Sequence, residues 1–121
     1  MGQFIKDDVV ILPFPFSDLS GSKRRPAFVV TDLPGEDIIL CQITSKAKHD
    51  PFSVSISASD FLTGSLPLDS FVRPNKLFTA DKSLVLSTAG RLSKPKTGKI
   101  ISHIVSLIKK GKITAWSFLP W

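Results

Sequence analysis

The chain has 121 residues, of which 42% are hydrophobic and 21% are charged, and its formal net charge at pH 7 is +6. This length and balance exclude a disordered chain and favour a single domain over residues 1–121 with a core of its own. The excess of lysine and arginine favours an anionic partner such as nucleic acid, because binding to phosphates releases counterions.

Targeting and redox signals point to an ordinary intracellular chain. No apolar stretch approaches the ~20 residues of a membrane span, and the first residues lack the pattern of a cleaved signal peptide. Cys41 is the single cysteine and lies in an apolar run, so it cannot form an internal disulfide. A buried free thiol is typical of a reducing compartment. We therefore expect a cytoplasmic protein with no membrane contact.

Short apolar runs separated by turn residues predict antiparallel strands in the first half of the chain. Residues 8–12 are β-branched and aliphatic, and Pro13 should end their pairing because proline has no backbone donor. Residues 27–31 and 37–43 flank a turn and predict a hairpin. Residues 52–57 alternate apolar and small polar side chains, which indicates a strand with one face in the core.

The second half predicts shorter strands. Residues 60–67 are rich in turn formers and have room for a single helical turn. Residues 70–73 and 77–80 are strand candidates separated by Pro74 and Asn75. Residues 113–118 predict a closing strand.

One helix is predicted near the C-terminus. Ser93 is the expected N-cap, Pro95 is tolerated in the first turn, and Gly111 is a natural stop. Its apolar residues form one stripe along the helix, made of Ile100, Ile101, Ile104, Val105 and Ile108. Together with the strands, this predicts a mainly β fold: a small, strongly bent antiparallel sheet or half-barrel packed by a C-terminal helix.

Metal and cofactor chemistry have little support. Cys41, His49 and His103 are too few and too scattered to form a metal site, and no phosphate-cradling glycine motif is present. We predict no metal and no cofactor.

Hydroxyl groups and cations at strand ends are the candidates for chemistry. Pro26 biases Arg25 towards an extended conformation, which places a guanidinium with five donors at the mouth of a strand. If residues 27–31 and 37–43 form a hairpin, Arg25 and Thr44 emerge at the same end, where a guanidinium beside a hydroxyl suits a phosphate. Arg73, Lys76 and Asp81 extend this hypothesis. The alternative is two basic loops on a solvated rim.

The opening of the chain resembles PemK/MazF-type toxins. The segments that carry the resemblance are Asp8-Val9-Val10, Pro13-Phe14-Pro15-Phe16, Lys23-Arg24-Arg25-Pro26-Ala27, Gln42-Ile43-Thr44-Ser45, Ser70-Phe71-Val72-Arg73, Leu77-Phe78-Thr79-Ala80-Asp81-Lys82 and Gly90-Arg91-Leu92. They span nearly the whole chain in the family's order, and the opening segments are the most specific in combination.

The resemblance implies a toxin of a type II toxin–antitoxin pair with an SH3-like barrel fold. Such toxins form homodimers and cleave single-stranded RNA selectively and without a metal, through the RNA's own 2′-OH. The family's essential arginine and threonine correspond to Arg25 and Thr44, which we predict as the catalytic residues. The predicted RNA-binding residues are Ser17, Lys23, Arg24, Ser45, Lys46, Arg73, Lys76 and Asp81.

The resemblance also implies binding partners, and the chain departs from the family's pattern at two positions. The expected partner is an acidic antitoxin that folds on binding, with operator DNA as a further ligand of the pair. Asp7 stands where the family usually has glycine. Phe78 stands where many members have arginine, and Arg73 is a candidate to supply that charge.

Two other functions remain open at the level of sequence. One is a non-catalytic relative that poisons a protein, as gyrase-directed members of this fold do, or that acts with the antitoxin on operator DNA. The other is an SH3-like interaction module in which Trp116 and Trp121 form a peptide groove.

Overall fold

The fold is one antiparallel sheet and one helix, seen in a computed structural model that describes residues 6–14, 23–46 and 51–110. The seven strands of these ranges follow the order β4-β6-β3-β2-β1-β7-β5 across the sheet, which curls into a half-barrel. The strands are β1 (Asp8–Phe14), β2 (Lys23–Asp32), β3 (Asp37–Thr44), β4 (Val54–Ile56), β5 (Phe61–Gly64), β6 (Ser70–Asp81) and β7 (Ser87–Leu92). The helix α1 (Lys94–Lys109) packs against β4 and β6. The predicted mainly β fold with a C-terminal helix is confirmed.

Apolar side chains form two clusters because the strands present alternate residues to opposite faces of the sheet. The cluster beneath α1 contains Val9, Phe28, Cys41, Ile43, Val54, Ile56, Val72, Leu92, Ile100 and Ile104. The second cluster contains Val10, Leu12, Phe14, Ala27, Val29, Ile38 and Leu40. Burial of Cys41 in the first cluster raises the pKa of its thiol to about 12, so it stays protonated at neutral pH.

The hairpin of β2 and β3 matches the prediction, with Phe28 opposite Cys41. Pro13 departs from it, because it lies within β1 and pairs with Arg24. The ladder between β1 and β7 ends at Ile11 of β1, so at Pro13 one side of β1 needs no ladder hydrogen bond.

β6 runs as one strand through the predicted break at Pro74. Its register against β3 shifts there: Val72 pairs with Ile43, whereas Leu77 pairs with Cys41. Pro74 therefore lies in a bulge, where its missing donor is tolerated. The sequence does not predict β5 and β7, and the helical turn expected within residues 60–67 is found slightly earlier, as the 3₁₀ turn Ala58–Asp60.

The helix begins where predicted, with Ser93 at the N-cap position and Pro95 in the first turn, but the Ser93 side chain makes no capping hydrogen bond. Within the predicted apolar stripe, Ile100 and Ile104 are buried, whereas Val105 and Ile108 are exposed. Gly111 and the predicted strand 113–118 lie outside the described residues. Within the described part of the chain, no helix combines the length and the apolar character needed to span a membrane.

Candidate functional site

The β2–β3 hairpin brings Arg25 and Thr44 to the same end of the sheet. The last pair of the hairpin ladder is Ala27 opposite Gln42. Arg25 and Thr44 each lie two residues beyond this pair, so both are at this end of the hairpin, on the strand faces that carry Ala27 and Gln42. Both residues are also held from outside the hairpin, since Arg25 pairs with Leu12 of β1 and Thr44 pairs with Phe71 of β6. At these positions β2 is paired with β1 and β3 is paired with β6, so each side chain projects from a paired strand.

Pro26 lies where β2 leaves β3 while it continues along β1. It pairs with Ile11, and β3 pairs with β2 only from Ala27 onward. Its ring fixes its own φ and restricts Arg25 to extended conformations, so the guanidinium has a defined direction. The sequence predicted Arg25 at the mouth of a strand, and the structure places it inside β2, which begins at Lys23.

A cleft of about 310 Å³ opens at this end of the sheet. Its lining combines cationic and hydroxyl side chains with apolar ones, and we call the loop residues Leu66, Pro67 and Leu68 the apolar wall. The lining residues are Ile11, Arg24, Arg25, Pro26, Ile43, Thr44, Ser45, Leu66, Pro67, Leu68 and Ser70. The predicted catalytic pair thus lines one cleft together with two of the predicted RNA-binding residues.

The Thr44 hydroxyl is already oriented by the backbone. Its Oγ1 accepts a hydrogen bond from the backbone N–H of Lys46 at 3.1 Å. Because Oγ1 acts as an acceptor there, its own hydrogen is directed elsewhere and suits a phosphate oxygen. The same bond fixes the backbone that carries Ser45 into the cleft.

The other predicted cations lie around the cleft without lining it. Lys23 and Lys46 are exposed, at the start of β2 and just after β3. Arg73 and Lys76 lie in the β6 bulge, on the strand next to Thr44. Arg73 is partly buried and Lys76 is exposed.

Asp81 lies far from this group. It pairs with Asp37 at the opposite end of the β3–β6 ladder, seven residues along β3 from Thr44, which corresponds to roughly 24 Å. Its carboxylate caps the 3₁₀ turn Lys82–Leu84 by accepting a hydrogen bond from the backbone N–H of Ser83 at 2.8 Å. That bond, followed by one from the Ser83 side chain, lowers the pKa of Asp81. The structure does not bring Asp81 to the cleft.

Phe78 and Ser17 complete the sequence-derived set. Phe78 packs edge-on against Phe14, with ring centroids 5.1 Å apart and planes at 71°, and lies against the second apolar cluster. The position where many members of the resembled family carry arginine thus serves packing in this chain. Ser17 and His49 lie outside the described residues.

The apolar wall was missed by sequence reasoning. Leu66, Pro67 and Leu68 come from the loop between β5 and β6, which the sequence marked only as turn-rich. The available signal was two leucines beside a proline in a loop, where polar residues are the rule. Among the described residues, no histidine or carboxylate lines the cleft and no cluster of three or more His, Cys, Asp or Glu could hold a metal ion.

A family model described as a PemK-like, MazF-like toxin of type II toxin–antitoxin systems matches residues 6–108 of the chain. No curated protein sequence matches it at a significant level.

Solved structures share the fold at low sequence identity. A mycobacterial endoribonuclease in complex with its cognate antitoxin is 16% identical, with a TM-score of 0.71 over 98% of this chain and 99% of that chain. A MazE–MazF complex from Deinococcus radiodurans is 22% identical, with a TM-score of 0.69 over 88% and 96%. The Mycobacterium tuberculosis toxin MazF-mt6 is 15% identical, with a TM-score of 0.66 over 84% and 96%.

Proposed function

Because the chain belongs to the PemK-like, MazF-like toxins of type II toxin–antitoxin systems, we propose that it is an endoribonuclease that cleaves single-stranded RNA at selected sequences. The observation that carries the proposal is the shared cleft, where Arg25 and Thr44, 19 positions apart in the chain, line one cavity. Solved structures of the same fold include endoribonucleases, which supports this activity.

The proposed reaction uses the nucleophile that RNA itself supplies. The 2′-oxygen attacks the adjacent phosphorus and loses its proton, the bond from phosphorus to the 5′-oxygen breaks, and that oxygen takes up a proton. The products are a 2′,3′-cyclic phosphate and a 5′-OH. The step consumes no water and needs no metal ion, because a guanidinium can supply the positive charge at the phosphorane.

Arg25 and Thr44 divide the work on the phosphate. The guanidinium of Arg25 donates to two non-bridging oxygens at once, and its charge stabilises the dianionic transition state. The Thr44 hydroxyl donates to one oxygen and fixes the orientation of the phosphate before attack. The proposal assigns no general base.

The surrounding residues bind the strand that flanks the cut. Arg24 and Ser45 line the cleft, and the exposed Lys23 and Lys46 extend the cationic surface along the neighbouring phosphates. Arg73 and Lys76 stay candidates for the adjoining strand. For Ser17 and Asp81 the RNA-binding role stays a prediction from the resemblance.

The proposed partners follow from related assemblies. A mycobacterial endoribonuclease forms a complex with its cognate antitoxin, and the Deinococcus radiodurans MazF forms a complex with MazE. We extend this to an acidic, partly disordered antitoxin that covers the same basic cleft, with the toxin as a cytoplasmic homodimer and operator DNA as a ligand of the pair.

The test is cleavage of a mixed-sequence transcript by the purified full chain in the presence of a chelator. We expect discrete fragments with 5′-OH ends, and no cutting of single-stranded DNA of the same sequence, because DNA lacks the 2′-OH. Arg25→Ala should lower the rate at least about 100-fold, since it removes the donor at the developing charge.

The matched control is Lys99→Ala, which removes one positive charge from an exposed position of α1 away from the cleft. It should cut at the wild-type rate. Cutting of the DNA strand, or full activity in Arg25→Ala, would contradict the proposal. Growth arrest without RNA cleavage would favour a non-catalytic toxin.

A further inference from the structure

The apolar wall of the cleft is a short loop between β5 and β6, residues 65–69. Leu66 and Pro67 lie at its centre, and Leu68 exposes 64% of its surface while lining the cleft. Leu68 thus places an exposed apolar side chain in the same cleft as Arg25 and Thr44.

Hydrogen bonds hold the loop at both ends, and Leu66 anchors it to the core. The backbone N–H of Ser65 donates to the carbonyl of Ala89 in β7 at 3.3 Å. Ser70 is a buried residue, 4% exposed, and its hydroxyl donates to the carbonyl of Leu68 at 2.9 Å. Leu66 packs on the cluster beneath α1, and the ring of Pro67 restricts the backbone. The leucine at position 68 is thus presented on a preorganised surface.

The cationic and the apolar residues of the lining match the two ends of one nucleotide. A nucleotide has an anionic phosphate at one end and a flat, largely apolar base face at the other. The cleft of about 310 Å³ lies at the lower end of the range for small-ligand pockets, about 300–1,000 Å³. With a phosphate on Arg25 and Thr44, the base of that nucleotide has the apolar wall of the same cleft as a packing surface.

We propose that Leu68, supported by Pro67, packs against the face of the nucleobase next to the scissile phosphate and sets the base preference at that position. This inference rests on the proposed RNA cleavage. The leucine acts as a positioning residue: it holds the base so that the phosphate meets Arg25, and it takes no part in bond breaking.

The test compares Leu68→Ala with Leu62→Ala in the full chain. Leu62 is a fair control because it is 65% exposed on neighbouring β5 and does not line the cleft. Cleavage sites in a random-sequence RNA pool are read from the fragment ends, and kcat and KM are measured on one RNA that the wild type cuts well.

We expect Leu68→Ala to lower kcat/KM about tenfold and to flatten the base preference at one position beside the cut. Leu62→Ala should leave both unchanged. Leu68→Met should retain both the wild-type kcat/KM and the wild-type base preference, because methionine conserves the apolar volume. Melting curves of all variants should coincide, since the altered side chains are exposed.

The outcomes separate the two proposals. If the wild type cuts no RNA, the proposed function fails. If the wild type cuts and Leu68→Ala retains the same rate and base preference, the nucleobase assignment is overturned while the function stands. If Leu68→Ala loses antitoxin binding without any change in cleavage, the apolar wall binds the antitoxin, and the nucleobase assignment is again overturned.

Discussion

Asp7 shows how a single backbone angle constrains the residue type. Its φ is 83°, in the left-handed region that residues with a Cβ rarely adopt. The conformation is fixed on both sides, because its N–H donates to the carbonyl of Val29 and its own carbonyl accepts from Leu92. The resembled family usually has glycine here, and the positive φ gives the physical reason.

The contacts of the Asp7 side chain do little to offset the strain of this backbone angle. Its Oδ1 is buried and has no hydrogen-bond partner among the described residues. Its Oδ2 lies 3.4 Å from the Nζ of Lys94, whose side chain is 87% exposed. A pair with so exposed a partner is worth little.

We predict that Asp7→Gly is more stable than Asp7→Ala by about 1 kcal/mol, because both remove the carboxylate and only alanine retains a Cβ in the left-handed region. Denaturant midpoints of the two variants measure the difference. Equal midpoints, or a more stable alanine variant, would show that the positive φ carries no strain.

At the level of elements, β5 depends on close approach to β7. Gly64 and Gly90 face each other in this pair. A Cβ on Gly90 would overlap the carbonyl oxygen of Thr63 and crowd the ring of Phe61. Since β5 leads into the loop that carries Leu68, this contact also positions the apolar wall of the cleft.

We predict that Gly90→Ala destabilises the fold by about 1–3 kcal/mol through this overlap and lowers RNA cleavage by displacing the loop. Gly98→Ala is the matched control, because a Cβ added at this exposed position of α1 would meet nothing within 4 Å. It should stabilise the fold by about 0.5–1 kcal/mol through higher helix propensity. Thermal unfolding distinguishes the two, and a shift in the same direction for both would refute the steric explanation.

Local chemistry predicted the elements that carry their own signal. The hairpin of β2 and β3 has two apolar runs around a turn, and α1 has a cap and a helical period. Pro13 and Pro74 misled the prediction because a missing donor matters only where a neighbouring strand needs it. β7 consists mostly of small and polar residues, and only its partners β1 and β5 make it a strand.

At the scale of the whole molecule, some residues of the cleft come from elements that are neighbours in the sequence, and others come from distant elements. Arg25 and Thr44 belong to one hairpin, so antiparallel pairing alone predicts that they emerge at the same end of the sheet. Leu68 lies at the cleft because β5 pairs with β7 and β6 pairs with β3, and no local sequence pattern predicts these pairings. The polar half of the cleft was therefore predictable and the apolar half was not.

The central claim is that Arg25 and Thr44 act on the same phosphate. A double-mutant cycle with Arg25→Lys, Thr44→Val and the double variant tests it through single-turnover rates of RNA cleavage. Arg25→Lys retains the charge but loses the planar fork, and Thr44→Val removes only the hydroxyl from a similar shape.

If both groups hold one phosphate, each substitution already disturbs the contact made by the other group. We therefore predict that the double variant is clearly faster than the product of the two single losses would give. Losses that multiply, in variants with unchanged circular dichroism, would mean that the two residues work independently and would contradict the shared phosphate site.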